Sequence, residues 1–392
     1  MKKYPALFLL FLLCILWLLF SLCIASAAEA LFEKESEDTL ELTLDGILEQ
    51  SDQQALDDLV SNTGLPHSVT FSGLVRSMMT GRIPFQPETV RTYVTDLFFS
   101  EILNQKQMAL QILLIVLSSA VFSNFIRVFE KNQIAEISFY MMYLLVSTML
   151  LRSFSGMDTL VAETLSHITR LIKLLLPAYL ASIVFSAGSL SALGFYQAAT
   201  VTIALLQGVI MRGVLPLLQF YLAVLMLNQM TKEDLFSRFA QLLQTIVDWS
   251  LKTVIGVAVG LQTVQCLIAP GVDSFKNSAA HRIAKAIPGI GNLFDAASET
   301  VTGSAIVIRN AIGTGGMLLI AAICLLPLLK LLTCILIFRL LCAIIQPICE
   351  KRMLACVESI SCAAALLLRI LCGSMVVLLI LLAMILSSLK GG

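Results

Sequence analysis

Between Met108 and Leu386 the chain presents one apolar window after another, each near the roughly 20 residues a helix needs to cross the hydrocarbon layer of a bilayer. The windows fall near 108–126, 134–151, 174–190, 194–211, 214–229, 251–269, 313–338 and 363–386. They predict an all-α, polytopic membrane protein of about eight transmembrane helices, within a range of six to nine. Arg212, Gly213 and Pro216 interrupt 194–229, and Pro327 and Lys330 interrupt 313–347, so each of these runs reads as a hairpin or a broken helix. Composition agrees: 58% of residues are hydrophobic and 13% charged, with a mean hydropathy of +0.90, against roughly 45–50% and about 25% in soluble domains.

The charge pattern excludes several functions. Twenty-six basic residues balance 26 acidic ones, leaving no excess to grip a phosphate backbone, and no nucleic acid is expected as a partner. His67, His167 and His281 lie far apart, outside any metal-ligand spacing. No G-x-x-x-x-G-K-[ST] loop, G-x-S-x-G elbow or dinucleotide fingerprint occurs, so no catalytic residue, metal or cofactor site is assigned. Ten cysteines suggest a disulfide scaffold until they are placed. Cys14 and Cys23 lie in the first apolar run, and Cys266, Cys324, Cys334, Cys342, Cys349, Cys356, Cys362 and Cys372 in the hydrophobic C-terminal third. Packing as small apolar residues is the expected role. The spacing of seven from Cys342 to Cys349 to Cys356 would align these three on one helical stripe.

The N-terminus reads as a targeting signal. Lys2 and Lys3, the apolar core Ala6 to Ile24 and the small-x-small Ala25-Ser26-Ala27 predict a signal peptide over 1–27 with Ala28 as the mature start; an uncleaved anchor is the alternative. Residues 28–106 form an acidic segment, in which Glu29 to Asp58 carry a single lysine, Lys34; it should be exported and form short amphipathic helices. The polytopic domain then occupies 107–392. With Ala28 outside, Arg127 and Lys131, Lys232 and Arg238, and Lys351 and Arg352 all fall on the cytoplasmic side, as the positive-inside rule requires. Arg152, Arg170 and Lys173 would then lie near an external loop, and the C-terminus is expected outside. Thr231 with Asp234 resembles a capped helix start, and Leu235, Phe236, Phe239, Leu242, Leu243, Ile246 and Val247 predict an interfacial helix, with Trp249 at headgroup depth.

Ionisable residues in apolar stretches mark positions that something must compensate, because a charge at mid-bilayer costs at least about 2.5–3.5 kcal/mol. Glu136 and Lys173 lie near span ends and can snorkel, whereas Arg212, Lys330, Arg339 and Arg369 are candidate structural or pore positions. Arg369, deepest in its run, is the one expected to have a partner. Gly256 and Gly260 supply a G-x-x-x-G face for helix packing. The segment 270–312 is too polar to span and too apolar for an ordinary loop. It reads as a re-entrant or interfacial hairpin, or as a plain external loop, broken at Pro288, Gly289 and Gly291.

Several short motifs follow in order: Leu174-Leu175-Leu176-Pro177-Ala178-Tyr179-Leu180-Ala181-Ser182, Ile287-Pro288-Gly289-Ile290-Gly291 followed by Asp295-Ala296-Ala297-Ser298-Glu299-Thr300, Arg309-Asn310-Ala311-Ile312-Gly313, Leu326-Pro327-Leu328-Leu329-Lys330, and Ile345-Gln346-Pro347. With the export signal ahead of them, they resemble the stage III sporulation protein AE family of endospore-forming bacteria, over roughly Met108 to Leu386. The resemblance implies a multi-pass, non-enzymatic protein of the mother-cell membrane around the forespore. It implies membership of a channel complex, or feeding tube, needed for late forespore development, with residues 28–106 in the intermembrane space. The implied partners are ring-forming subunits, a secretion-type ATPase, a forespore-side channel protein and the lipid bilayer. The alternative function is a stand-alone secondary transporter or permease, although no repeat relates 108–250 to 251–386.

Overall fold

A computed structural model describes residues 87–127, 132–187, 189–231, 234–284 and 291–387, together with Asp57, Gly73 and Val75. The expected signal peptide and most of the acidic segment lie outside the described residues. Everything described from Pro87 onward is helix or the short links between helices. The elements are α1 (Pro87–Arg127), α2 (Asn132–Ala187), α3 (Ser189–Leu205), a π-helical stretch (Leu206–Val214), α4 (Leu215–Met230), α5 (Ser237–Ala284), α6 (Gly291–Ile345) and α7 (Lys351–Ser387).

Among the described residues, five stretches are long and apolar enough to cross a membrane: Phe139–Pro177, Tyr196–Met230, Ser237–Leu261, Asn310–Ile345 and Lys351–Ala383. The expected partition into eight is not reproduced: two pairs of windows fuse, and the window at 108–126, on α1, is not among the five. The windows at 134–151 and 174–190 belong to one helix, α2, whose 56 residues rise roughly 84 Å. Those at 194–211 and 214–229 belong to another continuous run. The hydropathy dip at 152–173 is not a loop but one polar face of α2. Its opposite face keeps the helical period through the buried Phe154, Met157, Val161, Leu165, Ile168, Ile172 and Leu175. Likewise Arg212, Gly213 and Pro216 make no hairpin. The backbone widens into π-helix, with the Leu215 amide donating to the Ile210 carbonyl five residues back, and Pro216, which has no N–H to donate, follows at the second position of α4. Pro327 is likewise carried inside α6.

The helices run back and forth, and their contacts fix which ends coincide. Tyr143 Oη donates to the Met226 carbonyl at 2.6 Å and Gln219 Nε2 to Asp158 Oδ2 at 2.6 Å, so α2 is antiparallel to α3–α4. Arg352 stacks 4.1 Å over the Phe139 ring, and Cys349 Sγ lies 3.9 Å from the Val116 carbonyl, which brings the α6–α7 turn beside the start of α2 and the last third of α1. The α1–α2, α4–α5 and α6–α7 connections therefore share one end of the bundle, and with them Arg127, Arg238, Lys351 and Arg352. The α2–α3 link and the end of α7 lie at the other.

α7 is the axle. Its apolar stretch is 72% buried, the highest of the five, and it packs on α6, α5, α4 and α2. A helix apolar on all sides belongs in the interior. Its serines do not break this rule, since Ser359 and Ser374 return their hydroxyls to the carbonyls of Ala355 and Ile370 at 2.7 Å. Cys324, Cys334, Cys342, Cys349, Cys356, Cys362 and Cys372 are free, and Cys324, Cys334, Cys356 and Cys372 are buried in the core. Cys342, Cys349 and Cys356 do not form one stripe, because the turn at 346–350 puts the first on α6, the second in the turn and the third on α7.

Two local expectations also change. α5 begins at Ser237, not at Thr231: Asn228 Oδ1 accepts from the Phe236 amide at 2.7 Å, while Thr231 Oγ1 donates back to the Asn228 carbonyl. The helix then continues to Ala284 instead of stopping at an interface. Its apolar residues divide between two faces, Ala240, Leu243 and Val247 buried and Phe239, Leu242, Ile246 and Trp249 exposed.

Candidate functional site: a charged layer inside the bundle

Each of the five apolar stretches carries a charge near its middle. Asp158 is the central residue of Phe139–Pro177, and Arg212 adjoins the centre of Tyr196–Met230. Asp248 adjoins that of Ser237–Leu261, while Lys330 and Arg369 lie within three residues of the centres of Asn310–Ile345 and Lys351–Ala383. Charges at that depth are tolerated where they meet each other, a polar cavity or another protein.

The structure meets several of these needs internally. Arg369 Nη1 stands 3.5 Å from Asp248 Oδ1, joining α7 to α5, with both side chains partly exposed at 40% and 35%. Cys362, earlier on the same part of α7, lies within electrostatic reach of Arg369, Arg339 and Glu358. Tyr221 lies in reach of Cys362 and Asp248. Four helices thus converge on a group with two guanidinium and two carboxylate groups, open on one side through the exposed Arg339, Glu358 and Cys362. Close by, α5 packs tightly on α7 at a glycine outside the G-x-x-x-G pair. A Cβ on Gly373 would lie 3.0 Å from Ile255 Cδ1 and 3.4 Å from Leu251 Cδ1.

A second polar contact holds α2 to α4. Asp158, only 8% exposed, accepts from Gln219 through Oδ2, and its Oδ1 has no hydrogen-bond partner among the described residues. A third joins α1 to α6, where Gln105 Nε2 reaches Glu101 Oε1 at 3.1 Å and Cys334 Sγ at 2.8 Å, with Lys330 in electrostatic reach of that thiol. On the π-helical stretch Arg212 is exposed, and Lys173 Nζ lies 3.4 Å from Gln207 Oε1.

Of the positions named from sequence, Arg339 and Arg369 come together, Lys330 lies against α1, and Arg212 stands apart on the π-helical stretch. Gly256 and Gly260 face outward, and a Cβ added at either would meet no described heavy atom within 4 Å. Gly291 is the first residue of α6, whereas Pro288 and Gly289 lie outside the described residues. The described part of 270–312 is helix on either side of 285–290. Sequence reading missed Asp158 and Asp248, the first because it fell in the apparent loop of α2, the second because it fell on the apparent interfacial helix. The signal available for Asp158 was the unbroken apolar period on both sides of it. Among the described residues no three His, Cys, Asp or Glu side chains cluster closely enough to hold a metal ion.

A family model described as stage III sporulation protein AE matches residues 69–388. The stage III sporulation protein AE of Bacillus subtilis (strain 168) is 23% identical over 308 residues, which cover 78% of this chain and 76% of that protein. No solved structure matches the chain.

Proposed function

Because the chain belongs to the stage III sporulation protein AE family, we propose that it is a non-enzymatic, multi-pass component of the mother-cell membrane and part of a channel complex that serves the engulfed forespore. The observation that carries this reading is the charged layer. A protein that only filled lipid would gain nothing from a charge near the middle of each apolar stretch, and several of these groups open toward the surface of the bundle, where an assembly has other subunits or water. The end of the bundle that gathers Arg127, Arg238, Lys351 and Arg352 is the cytoplasmic one on the positive-inside rule, and with α1 as a further crossing the segment before it lies in the intermembrane space. Ring-forming subunits and a forespore-side channel protein would meet that segment, and a secretion-type ATPase the opposite end.

Deleting the gene in its host tests the proposal, with membrane-dye microscopy and a late forespore-specific reporter as readouts. Arrest after engulfment with small forespores and a silent reporter is expected. Normal spores with an altered solute phenotype in vegetative cells would overturn it in favour of a stand-alone secondary transporter.

A further inference from the structure

The bundle shows two different surfaces at one depth. On α2 the exposed residues Arg152, Ser155, Thr159, Glu163, Arg170 and Lys173 follow one another at helical spacings of three, four or seven and so form one stripe, directly opposite the buried apolar stripe of the same helix. From Arg152 to Lys173 it rises roughly 32 Å, about the thickness of a hydrocarbon layer, roughly 30 Å. Earlier on the same helix Ile137, Met141, Leu144 and Leu145 are exposed, so its outer surface changes from apolar to polar along its length.

Depth can be carried across the molecule through contacts. α2 and α7 run parallel, with Phe139 against Arg352 and Tyr143 in hydrogen-bonding reach of Cys356. α7 and α5 also run parallel, with Arg369 at Asp248 and Gly373 at Leu251 and Ile255. Following both registers, Glu163 to Arg170 on α2 lie level with the part of α5 that exposes Val257, Leu261 and Val264. One side of the bundle is dressed for hydrocarbon at the level where the other carries carboxylate, guanidinium and hydroxyl groups.

We infer that the Arg152–Lys173 face of α2 borders a water-filled path through the membrane, while the Val257–Val264 face of α5 borders lipid. Hydrocarbon against the α2 stripe would have to accept several charges, each of which it excludes roughly a hundredfold. Water accepts them freely. Arg212, exposed on the π-helical stretch next to the Lys173–Gln207 contact, continues the same polar surface onto the neighbouring run. The inference rests on the membrane reading proposed above and gives it a face; it does not depend on which compartments the path connects.

Single cysteines at Glu163, Arg170, Val257 and Leu261, in the full chain with its native cysteines replaced and in host membranes, provide the test. The probes are a membrane-impermeant charged methanethiosulfonate and a lipid-soluble maleimide. Positions 163 and 170 are expected to react with the charged reagent roughly a hundredfold faster than 257 and 261, the factor by which hydrocarbon excludes a charge, and all four with the maleimide. Equal reaction at both faces would overturn the inference, because that depth would then lie outside hydrocarbon. Protection of 163 and 170 in membranes, relieved only in detergent, would overturn it too, because another protein would cover the stripe. Labelling and the deletion phenotype are independent, so a protein dispensable for sporulation can still show the water-bordering face, and an essential one can lack it.

Discussion

Arg369 and Asp248 stand at 3.5 Å with more than a third of each side chain exposed, so their attraction is partly screened and the cost of breaking them falls below the roughly 3–5 kcal/mol typical of fully buried pairs. Arg369→Leu is expected to lower the stability of the detergent-solubilised protein by about 1–2 kcal/mol. The double change with Asp248→Leu should recover at least part of this, read as a rise in thermal midpoint over the single variant; no recovery would mean that the two residues act separately. Cys349 makes a second residue-scale test. Burial, with Glu350 adding repulsion, pushes its thiol up to about 11, so little thiolate exists near neutrality. Alkylation at this position should be slow near neutral pH and quicken as the medium turns alkaline, and Cys349→Ala should leave sporulation unaffected. Arg369 was legible in the sequence because a lone guanidinium interrupts an apolar run. Asp248 was not, since a carboxylate among amphipathic residues looks the same on a surface helix as in a bundle.

Among the elements, hydropathy averages and helical period gave different answers, and the period was the better guide. Averaging over 152–173 of α2 mixes its polar and apolar faces and suggests a loop; reading every third and fourth residue shows Phe154 through Leu175 continuing one stripe. On α5 the period alone was not enough, because it ran the outward Phe239, Leu242 and Ile246 together with the inward Leu243 and Val247 as one apparent face. Glycine spacing alone also misplaced the tight contact. Gly373→Leu is expected to cost about 1–3 kcal/mol through overpacking against Ile255 and Leu251, whereas Gly256→Leu should stay within about 0.5 kcal/mol in the solubilised monomer. Thermal unfolding of the two variants side by side checks this, and equal losses would contradict the placement of α5 against α7.

For the whole molecule, the order of passes gives a test of sidedness. Fusing two pairs of expected crossings preserves the parity of everything downstream, so the basic connections share one end of the bundle under either partition. It changes the link near Ser189, which eight crossings would put on the side of Gln346 and the structure puts at the opposite end. Cysteines introduced at Ser189 and Gln346 should be labelled by impermeant reagents from opposite sides of sealed vesicles, and labelling from the same side would refute the continuous α2.

The distance in sequence between Asp248 and Arg369, 121 residues, has a consequence for biogenesis. A bacterial ribosome adding about 5–20 residues per second needs roughly 6–24 s to travel that far. Throughout that interval α5 has left the ribosome with its carboxylate and without the guanidinium that will meet it. The insertion machinery would therefore hold α5 at its lateral gate until α7 emerges, or release it with that charge uncompensated. A nascent chain stalled at the α6–α7 turn would be a substrate for membrane quality control, and α7 would be the helix that completes the protein's acceptance by the bilayer.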